Sequence, residues 1–190
     1  MDGKLPHGRM RQKKTAILCA AAAALMLLAA AALIWRNVLF LPPWIEWRQT
    51  QIECGDDAEP ARIELSARRV RVYKGAEMVW ETESRIRVQD VLWGDIDHDG
   101  AQELMLLCWR RGRYGRKRPF WVEKDEPEWS QHIYLYDWTE DGIRPIWMAS
   151  DIGLDAEAWR FDERERLVIT ERSGAVSRWD WLSWGLERIG

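Results

Sequence analysis

The stretch Asp95-Ile96-Asp97-His98-Asp99-Gly100-Ala101-Gln102-Glu103-Leu104 carries carboxylates at positions 1, 3, 5 and 9 and a glycine at position 6. Side chains so spaced converge hard oxygen donors on one point, and Gly100 permits the sharp turn that brings Asp95, Asp97 and Asp99 together. The expected metal ligands are Asp95, Asp97, Asp99 and Glu103 through their carboxylates and Ala101 through its main-chain carbonyl. Ca²⁺ suits this set, because it takes six to eight oxygens in irregular geometry, whereas Mg²⁺ is stricter and softer metals want sulfur or imidazole. An EF-hand would need a glutamate at position 12, where this chain has Leu106, and its flanks would be helices rather than strand-like runs. The competing expectation is a solvated turn in an acidic protein; four carboxylates at this spacing favour the metal.

A second stretch, Arg110 to Trp121, sets six cations among three aromatic rings. Arg110, Arg111, Arg113, Arg116, Lys117 and Arg118 form a candidate ligand-binding set, suited to an anionic wall polymer or to lipid head groups. Glu123, Lys124, Asp125, Glu126 and Glu128 follow directly, so the alternative is an insertion that neutralises itself. Most of the fourteen tryptophans are expected to pack a small β body, while rings such as Trp179 and Trp181 could stack on sugars. The histidines are His7, His98 and His132, which supply neither a triad nor a zinc set, and the chain is expected not to be an enzyme. Hydrolysis of wall polysaccharide, which needs only two carboxylates, is the enzymatic alternative.

These residues need a scaffold, and its pattern is β. Short runs rich in Val, Ile, Tyr and Trp recur between turn-forming pairs such as Lys74-Gly75, Asp141-Gly142 and Ser173-Gly174. Ile63 to Ala67, Glu103 to Trp109 and Arg166 to Glu171 open three units. Val70 to Tyr73, His132 to Trp138 and Val176 to Trp184 follow as second strands, then Glu77 to Glu83, Ile143 to Ala149 and Leu186 to Ile189 as third strands. Ile86 to Trp93 and Ala156 to Phe161 complete the first two units, and the third lacks its fourth strand. Leu65 and Leu104 are 39 residues apart, and Leu104 and Leu167 are 63 apart, the excess matching an insertion at 110–131. The period of about 40 residues is that of a four-stranded propeller blade. The expectation is an all-β domain at 61–190 made of partial β-propeller-like blades, about two and a half four-stranded units. Trp44 to Cys54 is expected to supply the missing strand; otherwise open edges would invite a partner strand or a homo-oligomer.

The acidic loop resembles the calcium-loop blades of the FG-GAP and VCBS type, found in integrin α-chain propellers and many bacterial surface proteins. Asp95, Asp97, Asp99, Gly100, Glu103 and Leu104 carry the resemblance, with Val91-Leu92-Trp93-Gly94 before them and Met105-Leu106-Leu107 after. It implies a propeller-like blade with Ca²⁺ between strands, serving adhesion, ligand binding or scaffold stability rather than catalysis. Glu103 stands where the integrin-type pattern more often has aspartate. The matching stretch of the last unit, Phe161 to Leu167, lacks the glycine and has gained arginines, so no second metal is expected there.

Residues 15–35 contain no charged side chain and are long enough to cross a hydrocarbon layer of roughly 30 Å as a helix. Lys4, Arg9, Arg11, Lys13 and Lys14 precede that run and Arg36 follows it, which by the positive-inside rule makes 1–14 a cytoplasmic basic tail and places the body outside the cell membrane. The expectation is a single-pass signal-anchor, with cleavage after the alanine run as the alternative. Residues 36–60 then read as a juxtamembrane segment and linker, in which Pro42-Pro43 is a spacer and 44–54 a strand. Beyond residue 14 the chain has 30 acidic against 23 basic residues, which excludes a general nucleic-acid binder. Cys54 and Cys108 would face an oxidising compartment, either bridged or as two thiols. The expected function is a non-catalytic, membrane-anchored extracytoplasmic binding or scaffold module with one Ca²⁺ loop. The alternative is an accessory subunit that pairs with an envelope protein through open sheet edges.

Overall fold

A computed structural model describes residues 19, 21–33, 40–55, 60–112, 126–139, 142–149 and 152–190 of the chain. They belong to two compact units, 1–41 and 42–190. In the first, Cys19 and residues 21–33 are helical, and Leu25, Leu27 and Leu33 are exposed. At 1.5 Å per residue the stretch 21–33 is about 20 Å long, short of the roughly 30 Å of a hydrocarbon layer. No helix among the described residues is long and apolar enough to cross a membrane. The span expected at 15–35 is therefore not carried by the described helix; its remaining positions and the tail 1–14 lie outside the described residues.

The second unit is built from three four-stranded antiparallel sheets. The first comprises β1 (Thr50–Gly55), β2 (Pro60–Ser66), β3 (Arg69–Lys74) and β4 (Glu77–Glu81). The middle sheet comprises β5 (Arg87–Gly94), β6 (Glu103–Gly112), β7 (Glu126–Thr139) and β8 (Gly142–Met148). The third comprises β9 (Ala156–Phe161), β10 (Leu167–Glu171), β11 (Val176–Leu182) and β12 (Gly185–Arg188). Each is a meander of sequential strands, which short turns allow. Ala67 and Arg68, at φ 50° and 65°, form the two-residue link between β2 and β3, and Gly75 and Gly174 also take positive φ in their turns.

Four-stranded units are thus present, but their boundaries are shifted by one strand from those expected. Ile86 to Trp93 does not close the first unit: β5 opens the middle sheet, pairing Gly94 with Glu103 across the acidic loop. Likewise β9 opens the third sheet, so there are three complete units rather than about two and a half. Only Thr50–Gly55 of the expected strand 44–54 is a strand, and it pairs with β2 instead of the last unit. The acidic loop and its counterpart after Phe161 look like boundaries by length and polarity, yet both are hairpin tips within a sheet. Of the insertion placed at 110–131, residues 110–112 belong to β6 and 126–131 to β7, while 113–125 lie outside the described residues.

The middle sheet is buried on both faces, which explains why β6 is a continuous apolar run rather than an alternating one. Leu104, Leu106 and Cys108 pack with Tyr134 and Tyr136 against Ile63, Leu65, Val70 and Val72 of the first sheet. Met105, Leu107, Ile133 and Leu135 pack on the opposite side against Trp159, Leu167 and Ile169 of the third. Full burial of each such side chain is worth about 1.5–3 kcal/mol, so β6 is the main source of cohesion. The other face of the first sheet is polar: Glu81 accepts from Arg69 at 2.9 Å and from Arg71 at 2.8 Å, and the Arg62 guanidinium lies 4.5 Å from the centre of the Tyr73 ring. Cys54 and Cys108 are free thiols, both buried in the core between the first and middle sheets.

A buried polar clamp ties β9 to the middle sheet. Gln131 Nε2 donates to Gln89 Oε1 and to the Ala156 carbonyl, its Oε1 accepts from the Ala156 amide, and Trp109 Nε1 donates to Gln89 Oε1, each at 2.8 Å. Because these groups are buried, Gln131→Ala leaves several partners unsatisfied and should destabilise the protein by about 2–4 kcal/mol. The check is a lowered urea midpoint with an unchanged denaturant slope.

Candidate metal centre

The acidic loop is the tip of the β5–β6 hairpin, and sheet pairing fixes both its ends. Between them the backbone turns through left-handed residues His98, φ 61°, and Gly100, φ 92°. The turn is held by the carboxylates themselves. Asp95 accepts from the amides of Asp99 at 3.1 Å and Gly100 at 3.0 Å, and Asp99 accepts from the Ala101 amide at 2.8 Å. One oxygen of each of Asp95, Asp97, Asp99 and Glu103 then lies within 4.8 Å of the others. All four carboxylate residues singled out in the sequence are brought together, and Ala101 closes the loop beside them.

The cluster is electrostatically unfavourable as it stands. Glu103 opens β6 and is 1% exposed, and its Oε2 accepts from the Ile96 amide at 2.9 Å. Burial, reinforced by the charges of Asp97, Asp95 and Asp99, pushes its carboxyl up to about 7. Burial and the Asp99 charge raise Asp97 as well. Among the described residues no lysine or arginine pairs with any of the four. His98, the imidazole of the loop, directs Nε2 to Asp180 on β11 at 3.0 Å. What is left at the centre is a set of hard oxygens with an excess of negative charge.

No family model, curated protein or solved structure matches this chain.

The chain provides its own comparison in the third sheet, whose β9–β10 tip occupies the same place. Asp162 begins that tip as Asp95 begins the other, and Glu165, φ 58°, takes the left-handed position of His98. There a side chain supplies the cation: Arg166 donates from Nε at 2.9 Å and Nη2 at 2.7 Å to Asp162 Oδ2. That pairing holds the Asp162 carboxyl down at about 2. The shorter loop thus solves its charge problem internally, while the loop at 95–103 collects more carboxylate and no guanidinium.

The His98–Asp180 bond joins the acidic loop to the third sheet across 82 residues of sequence, and no sequence signal marks it. It restrains the loop from outside the ligand set, as outer-shell partners do in metal sites. Asp180→Asn is expected to weaken divalent-cation binding about tenfold, measured by calorimetric titration, without loss of the fold.

Arg110 and Arg111, the cations of the basic stretch among the described residues, do not join this site. β6 runs from Glu103 to Gly112, so Arg110 and Arg111 stand near its far end, roughly 20–30 Å from the acidic loop. Arg110 Nη1 donates to the Tyr134 hydroxyl at 3.0 Å, and the Arg111 guanidinium lies 4.7 Å from the Trp129 ring centre. Arg113, Arg116, Lys117 and Arg118 lie outside the described residues. Trp179 and Trp181 are half-buried against the core between the middle and third sheets, with Trp181 edge-on to Trp147. His132 bonds to Ser130 and to the Ala149 carbonyl, away from the cluster.

Proposed function

We propose that the β unit is a non-catalytic binding or scaffold module in which the β5–β6 tip holds one Ca²⁺, in the manner of an FG-GAP or VCBS blade. The observation that carries this is the contrast between two hairpin tips of one molecule. In the third sheet Arg166 neutralises the carboxylate, whereas in the middle sheet four carboxylates, one of them buried, converge without a side-chain cation among the described residues. Protonation of Glu103 offsets part of that charge, and an external cation would offset it without holding the proton. An all-oxygen donor set favours Ca²⁺ over soft metals, and an irregular loop favours it over Mg²⁺. Bound there, the ion would stiffen the tip and, through His98 and Asp180, its junction with the third sheet. The apolar, uncharged sequence 15–35 and the cations before it support placement at a membrane with the β unit outside.

The alternative, an accessory subunit, is favoured by the outer strands. Met78 and Val79 on β4 and Ile146 and Met148 on β8 are exposed, and β4 and β8 are edge strands of their sheets. Affinity capture from membranes separates the two: a stoichiometric protein partner favours the subunit, and recovered wall material favours the binding module. Thermal melts of the full chain test the ion. Ca²⁺ should raise the transition more than equal Mg²⁺, and stabilisation by Zn²⁺ with none by Ca²⁺ would refute the hard-cation site.

A further inference from the structure

Beside the metal loop, at the same end of the β unit, the first and middle sheets part to leave a cavity of about 310 Å³. Its walls include Trp93 and Trp138 from the ends of β5 and β7, Lys74 from the end of β3, Cys54 from β1, and Ala101 and Gln102 from the metal loop. The two indoles meet edge to face, centroids 5.9 Å apart and planes at 73°. Together they make an apolar part of the wall. Lys74 and Gln102 are exposed and add hydrogen-bonding groups to the lining.

We infer that this cavity binds a neutral saccharide of one or two rings. The volume lies at the lower end of the about 300–1,000 Å³ typical of small-ligand sites, which suits a short sugar rather than a long polymer segment. The carboxylates of Asp95, Asp97, Asp99 and Glu103 next to the Ala101–Gln102 wall disfavour an anion, and a cation would be drawn to those carboxylates rather than to the indoles, which leaves a neutral occupant for the cavity itself. A pyranose meets the remaining requirements, since its C–H face packs on indole while its hydroxyls pair with an ammonium and an amide. Burial also pushes the Cys54 thiol up to about 11, so that wall is neutral at physiological pH. The inference rests on the metal site only for the stiffness of the Ala101–Gln102 wall.

The test is calorimetric titration of the full-length chain, in a detergent without a sugar head group, with maltose, cellobiose and N,N′-diacetylchitobiose in the presence of Ca²⁺. At least one disaccharide should bind with a millimolar dissociation constant. Gln102→Ala and Lys74→Met, both at exposed positions that leave the core intact, should each weaken it about five- to tenfold. Absence of binding up to tens of millimolar, with Ca²⁺ binding intact, would overturn the saccharide site alone, as would binding indifferent to both substitutions. Saccharide binding by a chain that fails to bind Ca²⁺ would uphold the cavity and sink the metal site instead.

Discussion

Asp97→Ala is expected to lower Ca²⁺ affinity by about 100-fold while leaving the metal-free protein as stable as before, or slightly more so. Ca²⁺ sites vary in affinity over many decades with the number and charge of their ligands, and extracellular modules lie near 10⁻⁴–10⁻³ M. Removing one of four carboxylates from a site of that class moves binding out of the useful range. Asp97 also sits in mutual repulsion with Asp95 and Asp99, which raises its carboxyl together with burial. Its removal therefore relieves strain when no ion is present, at the cost of a 3.3 Å bond from the Asp99 amide. A purely structural acidic turn would show the reverse: loss of stability in the metal-free protein and no change in a Ca²⁺ titration. Paired calorimetry and urea melts in chelator distinguish the two.

The second large effect concerns Glu103 and pH. In the folded, metal-free chain its carboxyl stands at about 7, against an ordinary value of 4.5. Below about pH 4.5 the group is protonated in both folded and unfolded states, and the folded state carries no penalty. As pH rises toward 7 the unfolded chain releases the proton more readily than the folded one, so stability falls; the loss is complete above the folded value. A difference of this size corresponds to on the order of 3 kcal/mol. Metal-free protein should thus lose stability through Glu103 between about pH 4.5 and 7, and saturating Ca²⁺ should reverse the loss while expelling the proton. A glutamine side chain in place of Glu103 keeps an acceptor for the Ile96 amide but has no charge to bury. Glu103→Gln should therefore be flatter in pH and more stable than wild type at pH 8 in chelator, yet gain nothing from Ca²⁺. Chemical denaturation at several pH values, with and without the ion, reads all three consequences.

How much of this was legible in the sequence differs from feature to feature. The carboxylate spacing of 95–103 sufficed for the cluster, because a loop that short between two paired strands leaves its side chains few ways not to converge. The strands were legible from their apolar runs, and the four-strand period from their spacing. The grouping of strands into sheets was not. Two polar hairpin tips within sheets look, in one dimension, like the boundaries between units, and only pairing across Gly94 and Glu103 distinguishes them. Long-range partners such as Gln89 with Ala156 and His98 with Asp180 depend on how sheets stack, which local periodicity does not encode. The basic stretch stands out by composition, but Arg110 and Arg111 are engaged with aromatic side chains at the opposite end of β6 from the acidic loop. The cavity between Trp93 and Trp138 was invisible for the same reason: its walls come from five different strands and a loop.

The central claim is that the tip of the middle sheet holds one hard divalent cation, and calorimetric titration of the full-length chain with Ca²⁺ at pH 6.5 addresses it most directly. Titrations in two buffers of different ionisation enthalpy should give one site, a submillimolar to millimolar dissociation constant, and a net release of protons that disappears in Glu103→Gln. Absence of binding heat up to several millimolar Ca²⁺, or binding that survives Asp97→Ala and Glu103→Gln unchanged, would contradict it.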